Sequence, residues 1–213
     1  MLRAFYYAEQ IPRYRIDNKA TFHIIYSCAA TVDDISDFPN LARHLEPYKA
    51  LMATRRETAQ GKKPWFHLHW PRSTRYFEEP AIVSVRQTQQ PVFSYSPQSA
   101  YCDLAVNVLS TRRGSQEEPL FSPHLAKTVL QRCALYLNSK FVENWLRMNG
   151  KMKGDTFQID QGPLKRVPIP RGLLESSELS KSLDGVWEGM EQHGQGEGEV
   201  REAVEDVLNR LLW

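Results

Sequence analysis

The sequence predicts an α+β fold, and three observations carry that prediction. Short runs rich in aromatic and β-branched residues recur between Phe5 and Leu109, and Pro71, Pro80 and Pro91 cut part of them into irregular pieces. Two helical stripes follow between Ser122 and Gly150. A third region, helical and acidic, occupies residues 172–213.

The elements follow in order. Residues 5–16, FYYAEQIPRYRI, form an extended aromatic stretch interrupted by Pro12. Residues 21–28, TFHIIYSC, read as a buried strand. Residues 33–40 are turn-like, and Asn40 is placed to cap a short helix over residues 41–45. Pro47 cannot lie deep in that helix without losing a backbone bond. A new helix therefore starts there and runs to about Gln60, with Tyr48, Leu51 and Met52 inward, until Gly61 stops it. His67 and His69 flank Leu68 at strand spacing and share a face. With no third ligand nearby, hydrogen-bonded histidines are favoured over a metal site.

Ala81 to Val85 is the central apolar strand, and residues 104–109 form another. Residues 111–118, TRRGSQEE, read as a charged loop, more a solvated turn than a phosphate grip at Arg112-Arg113-Gly114. Ser122-Pro123 opens a helix whose stripe is Ala126, Val129, Leu130, Cys133, Ala134 and Leu137. Asn138-Ser139 breaks it. The next helix turns Phe141, Val142, Trp145 and Leu146 inward and ends at Gly150. Residues 151–154, KMKG, read as a basic turn, Phe157 and Ile159 as a strand, Gly162-Pro163 as a turn, and residues 167–170 as extended chain. A weak amphipathic pattern over residues 173–190, a Gly-rich acidic link over 192–199 and a stripe at Val200, Val204, Val207, Leu208 and Leu211 complete an α-hairpin. The expected division is a body over residues 1–171 and a helical tail over 172–213.

The 213 residues are 41% hydrophobic and 24% charged, enough for a sizeable core. The net charge is only +2, but residues 172–213 hold ten acidic against three basic side chains, leaving +9 on residues 1–171. A basic body with an acidic tail suits an anionic partner, nucleic acid foremost. The cysteines, Cys28, Cys102 and Cys133, are odd in number and far apart, which excludes zinc ribbons and points to reduced thiols and a cytoplasmic setting. No apolar run approaches the ~20 residues that span a bilayer.

The stretch over residues 62–95 concentrates basic, amide and aromatic side chains around the apolar run. Arg86, Gln87, Gln89 and Gln90 follow the strand directly, and Arg and Gln read guanine and adenine edges with paired hydrogen bonds. These four are the candidates for base reading. Arg55, Arg56, Lys62, Lys63, Arg72, Arg75, Lys151 and Lys153 are the candidates for backbone phosphates. Trp65, Trp70, Tyr76, Phe93 and Tyr95 can brace that surface or stack on bases. No P-loop, GxGxxG, GxSxG or HExxH occurs, and there is no Pro-Pro dipeptide for an Asn-Pro-Pro-aromatic turn. Asp155, Asp160, Gln161 and Lys165 form the nearest approach to a nuclease carboxylate–lysine pattern and read better as a surface loop. No catalytic or metal-binding residues are expected.

Three blocks resemble the TaqI-like C-terminal specificity domain of adenine-N6 DNA methyltransferases. The first is Phe38-Pro39-Asn40-Leu41 with His44-Leu45, Tyr48-Lys49 and Arg55-Arg56-Glu57. The second is Pro64-Trp65-Phe66-His67-Leu68-His69-Trp70-Pro71-Arg72 followed by Phe77-Glu78-Glu79-Pro80-Ala81-Ile82-Val83. The third is Tyr136-Leu137-Asn138-Ser139-Lys140, Gly154 and Leu164-Lys165-Arg166-Val167-Pro168-Ile169-Pro170. The resemblance covers about residues 1–171 and implies an irregular, β-rich, β-helix-like core with a helical pair. It also implies a target recognition domain of a restriction-modification methyltransferase, lying against double-stranded DNA. S-adenosylmethionine and catalysis would then belong to a separate catalytic domain or subunit, with no cofactor in this chain. The C-terminal tail matches nothing in that pattern. The alternative is a protein-interaction module whose C-terminal helices dock on a methyltransferase or restriction subunit. A free-standing nuclease is a more distant third.

Overall fold

The computed structural model describes residues 2–17, 20–97, 100–113 and 118–212, with only the backbone described at 112 and 113. In chain order the elements are β1 (Leu2–Tyr6), β2 (Tyr14–Arg15), β3 (Phe22–Ile25), α1 (Pro39–Leu45), α2 (Lys49–Ala53), α3 (Arg56–Ala59) and α4 (Arg75–Glu78). Then come β4 (Ala81–Val85), β5 (Gln87–Thr88), β6 (Phe93–Ser96), β7 (Tyr101–Cys102), β8 (Val106–Leu109), β9 (Arg112–Arg113) and β10 (Glu118–Pro119). The rest is α5 (Pro123–Leu137), α6 (Lys140–Asn149), β11 (Lys151–Lys153), β12 (Thr156–Gln158), α7 (Gln161–Leu164), α8 (Glu178–His193) and α9 (Glu197–Leu212). The fold is α+β with small mixed sheets, ordered β2-β6-β4-β8, β3-β1-β7, β11-β12-β5 and β10-β9.

The strongest strand signal sits at the centre. β4 is buried along its whole length, with β6 and β8 antiparallel on either side. A strand covered on both faces reads as a continuous apolar run rather than an alternation. At Val85 the chain leaves this sheet, and Gln87–Thr88 pairs instead with β12. Arg86 is the hinge between the two sheets. Its amide donates to the Ala105 carbonyl at 2.9 Å and its carbonyl accepts from the Ile159 amide at 2.8 Å.

The largest core joins β2, β4 and β6 to α5 and α6 and to both C-terminal helices. Phe93, Leu135, Val142, Leu146, Leu183 and Val204 are fully enclosed in it. Trp187 of α8 meets Tyr95 of β6 edge-on at 5.6 Å. Arg132, buried in α5, holds Asp184 of α8 with both carboxylate oxygens engaged, at 2.7 and 2.6 Å. Arg13 donates to the Pro91 carbonyl, to Gln90 and to Glu197 at the start of α9. The tail's stripe, Val200, Val204, Val207 and Leu208, is therefore spent on the chain's own body.

Several local expectations need correction. The 21–28 run is not a buried strand. β3 lies at a sheet edge with Phe22 and His23 exposed, because only β1 pairs with it. Asn40 does not cap α1. Phe38 holds that position and Pro39, its φ preset, is the first helical residue. The expected single helix from Pro47 is broken by extended backbone at Arg55, whose guanidinium donates to the Met52 and Trp65 carbonyls. Tyr48 and Leu51 are consequently exposed rather than inward. Gly61 does stop the segment, at φ +70°.

His67 and His69 do not share a strand face. They lie in a loop, where His67 Nε2 meets the Val32 carbonyl and His69 meets Glu57. Residues 151–153 form strand β11, and the turn is confined to Gly154, which adopts φ +60°. Gly162-Pro163 lies inside α7 rather than in an open turn. The acidic link shrinks to residues 194–196, since α8 continues to His193 and α9 begins at Glu197. The stretch read as a charged loop over residues 111–118 has strand backbone in it, Arg112–Arg113 pairing with Glu118–Pro119, while Gly114 and the side chains of Arg112 and Arg113 lie outside the described residues.

Candidate nucleic-acid interface

The site is built where β4, β5, β8 and β12 meet. Ile159, almost wholly buried, anchors the end of β12, and its carbonyl accepts from Asn107 Nδ2 of β8 at 2.8 Å. That anchor sets Asp160 against Arg86. Arg86 Nη2 donates to Asp160 Oδ1 at 3.2 Å, and Arg86 Nη1 donates to the Leu104 carbonyl at 3.3 Å. Lys151 Nζ stands 3.5 Å from Asp160 Oδ2. One carboxylate thus gathers two cations from segments 65 positions apart in sequence.

Arg86 borders two open hollows. One, of about 540 Å³, is lined by Arg72, Tyr76, Leu104, Asn107 and Gln161 as well as Arg86. The other, of about 500 Å³, is lined by Glu9, Gln87, Gln158 and Asp160 together with Arg86. Arg72 is fixed by its bond to the Val106 carbonyl at 3.0 Å. The surface presents guanidinium, ammonium and amide donors, with Asp160 and Glu9 as the acidic counterweight. Such an array suits phosphate oxygens and base edges.

Of the four base-reading candidates, Arg86 and Gln87 lie in this site and are exposed. Gln89 is exposed beyond it. Gln90 is exposed too, but its Oε1 accepts from Arg13 Nη2 at 2.7 Å, which ties that amide to the α9 junction. Of the phosphate candidates, Arg72 and Lys151 join the site. Arg75 lies over the Tyr76 ring beside it. Lys153 is exposed on β11 with no ion pair among the described residues.

A second group surrounds Glu57. Arg56 Nη2 pairs with its carboxylate at 2.6 Å, His69 lies against its other oxygen, and the Lys62 amide donates to its backbone carbonyl at 2.8 Å. Burial pushes the Glu57 carboxyl up, but the Arg56 hydrogen bond, the backbone and the neighbouring charges of Arg56 and His69 outweigh it, so its pKa is lowered. Arg55 is a structural clasp, as its two carbonyl partners show. Lys63 donates to the His69 carbonyl and sits over the Trp70 ring. Lys62 is exposed with no ion pair among the described residues.

The aromatic candidates separate by burial. Phe93 and Tyr95 are core residues and can only brace, while Trp70 and Tyr76 are exposed enough to stack. Asp160, Asn107, Gln158 and Gln161 are the contributors that sequence reasoning passed over as site residues. The signal lay in the polar tips following the Phe157–Ile159 alternation, but pairing with β5 is a long-range fact. Among the described residues no group of three or more His, Cys, Asp or Glu is placed to hold a metal, and no helix is long and apolar enough to cross a membrane.

No protein-family model matches the chain, and no curated protein matches it.

Proposed function

We propose that this chain is a sequence-specific double-stranded DNA recognition domain, of the kind that serves an adenine-N6 methyltransferase in restriction-modification. The observation that carries the reading is that Arg86 shares one open hollow with Arg72, a second with Gln87, and its partner Asp160 with Lys151. Phosphates would be met by the surrounding cations and base edges by Arg86 and Gln87. In this reading the short sheets around β4 would stand in place of the β-helix-like core that the resemblance implies. In this reading the chain catalyses nothing alone, works in the cytoplasm, and joins a catalytic domain or subunit that holds S-adenosylmethionine.

The interaction-module alternative has less support. The apolar stripe of α9 that a partner would need is buried against α5 and α8, so only an exposed and largely acidic face remains.

Duplex binding by the full chain as a function of salt tests the proposal. Log K should fall linearly with log salt, with a slope of about −0.9 for each phosphate neutralised. Lys153→Ala should flatten that slope by about one unit on every sequence. A duplex affinity independent of salt would reject the proposal.

A further inference from the structure

We infer that Arg86 reads a guanine, and that Asp160 is the positioning residue that aims it. This rests on the DNA-recognition reading and names the base it selects. The argument begins with how tightly Arg86 is held. Its backbone is fixed on both sides, by the Ala105 carbonyl and the Ile159 amide. Its side chain is then held at two points, by the Leu104 carbonyl and by Asp160. Asp160 is itself seated by Ile159, which is buried and clasped by Asn107. A long, flexible side chain has been given one direction before any ligand arrives. Pre-organisation of that kind reduces the rotamer entropy lost on binding.

Counting donors identifies the ligand. A guanidinium carries five N–H groups and no acceptor. Leu104 uses one on Nη1 and Asp160 one on Nη2, which leaves the Nε–H and one N–H on each terminal nitrogen. A neighbouring pair among these three makes a fork that suits two adjacent acceptors. In the major groove only guanine offers that pair, O6 and N7 on a single base. Adenine sets an amino donor beside its N7, cytosine shows an amino donor, and thymine offers one acceptor beside a methyl group. Each of those leaves a donor of the fork unpaired or opposed.

The shape agrees. Arg86 borders both hollows, so its side chain is open to solvent on two sides. The side chain is about half exposed even with both clasps made, so the fork is reachable. Lys151, on the outer oxygen of Asp160, keeps that carboxylate from presenting an uncompensated charge to the DNA.

The test is selection by the full chain from duplexes with a randomised centre, followed by sequencing of the bound pool. The wild-type pool should contain a position where guanine dominates. Arg86→Ala should lose guanine preference there by ~10-fold or more while other positions keep theirs, and Arg86→Lys, which can still reach O6 and N7, should keep part of it. The lysine variant should also retain the salt slope, since its charge persists. Asp160→Asn should relax the same position and no other, whereas a purely structural role would lower binding evenly and lower the melting temperature. A wild-type consensus retained by Arg86→Ala would overturn the inference while leaving DNA recognition intact. A wild-type pool indistinguishable from the input would overturn the recognition reading, and the inference with it.

Discussion

Asn138 offers the sharpest test of how the body is held together. It follows the last turn of α5 and is buried. Its Oδ1 accepts from the Phe93 amide at 3.1 Å, and its Nδ2 donates to the Phe93 carbonyl at 2.6 Å and to the Ala134 carbonyl at 2.7 Å. The side-chain amide thus does for β6 what a neighbouring strand would do, just beyond the point where β2 pairs with Ser94. Asn138→Ala strands three buried backbone groups at once. At ~1 kcal/mol or more for each orphaned group, the loss is about 3–5 kcal/mol. Asn138→Asp keeps the shape but turns an acceptor toward two carbonyls, so it should cost at least as much. Urea unfolding followed by tryptophan fluorescence measures it. With a slope of ~2–3 kcal/mol per molar urea for a chain of this size, the midpoint should fall by about 1–2 M at unchanged slope. A loss below ~1 kcal/mol for both variants would refute the claim that this amide carries the α5–β6 junction.

Two further outcomes follow from the same coordinates. Leu183→Ala, in the part of α8 that is wholly enclosed, should cost about 2–5 kcal/mol in a single unfolding transition, whereas Met148→Ala at an exposed site should lie within ~0.5 kcal/mol of wild type. A separate early transition for the tail in the Leu183 variant would contradict the shared core. Glu57 gives a pH prediction. Its folded pKa lies below the ordinary 4.5, so the stability from its ionised form is fully present above that value and is lost as pH falls through the folded pKa. The stability gap between wild type and Glu57→Gln should therefore be open above about pH 4.5 and close as the pH falls below it. A gap that does not change with pH would overturn that account.

What the sequence determined by itself was local. The apolar run of β4, the Ser122-Pro123 start of α5, the break at Asn138-Ser139 and the stop at Gly61 each depend on neighbours a few residues away, and each appears in the fold; the single stripe read for α5 does not, because Gln131, Arg132, Leu135 and Tyr136 are buried beside it. Arg86 and Gln87 could be singled out because they directly follow a strand that had to be buried. Distance in sequence decided the rest. The helix over residues 47–60 failed at Arg55, because the Trp65 carbonyl that holds its guanidinium comes from a later loop. Residues 21–28 looked like a core strand, and only sheet order made β3 an edge. Gln90 looked equal to Gln87 until Arg13 drew it toward α9. Asp160 had no visible role until β12 paired with β5 and brought a carboxylate to Arg86, and no periodicity encodes that meeting. Hydrophobic patterning fixes which face of an element is covered; which charged tips then meet is set by how separate elements pack, and that is where the candidate site was made.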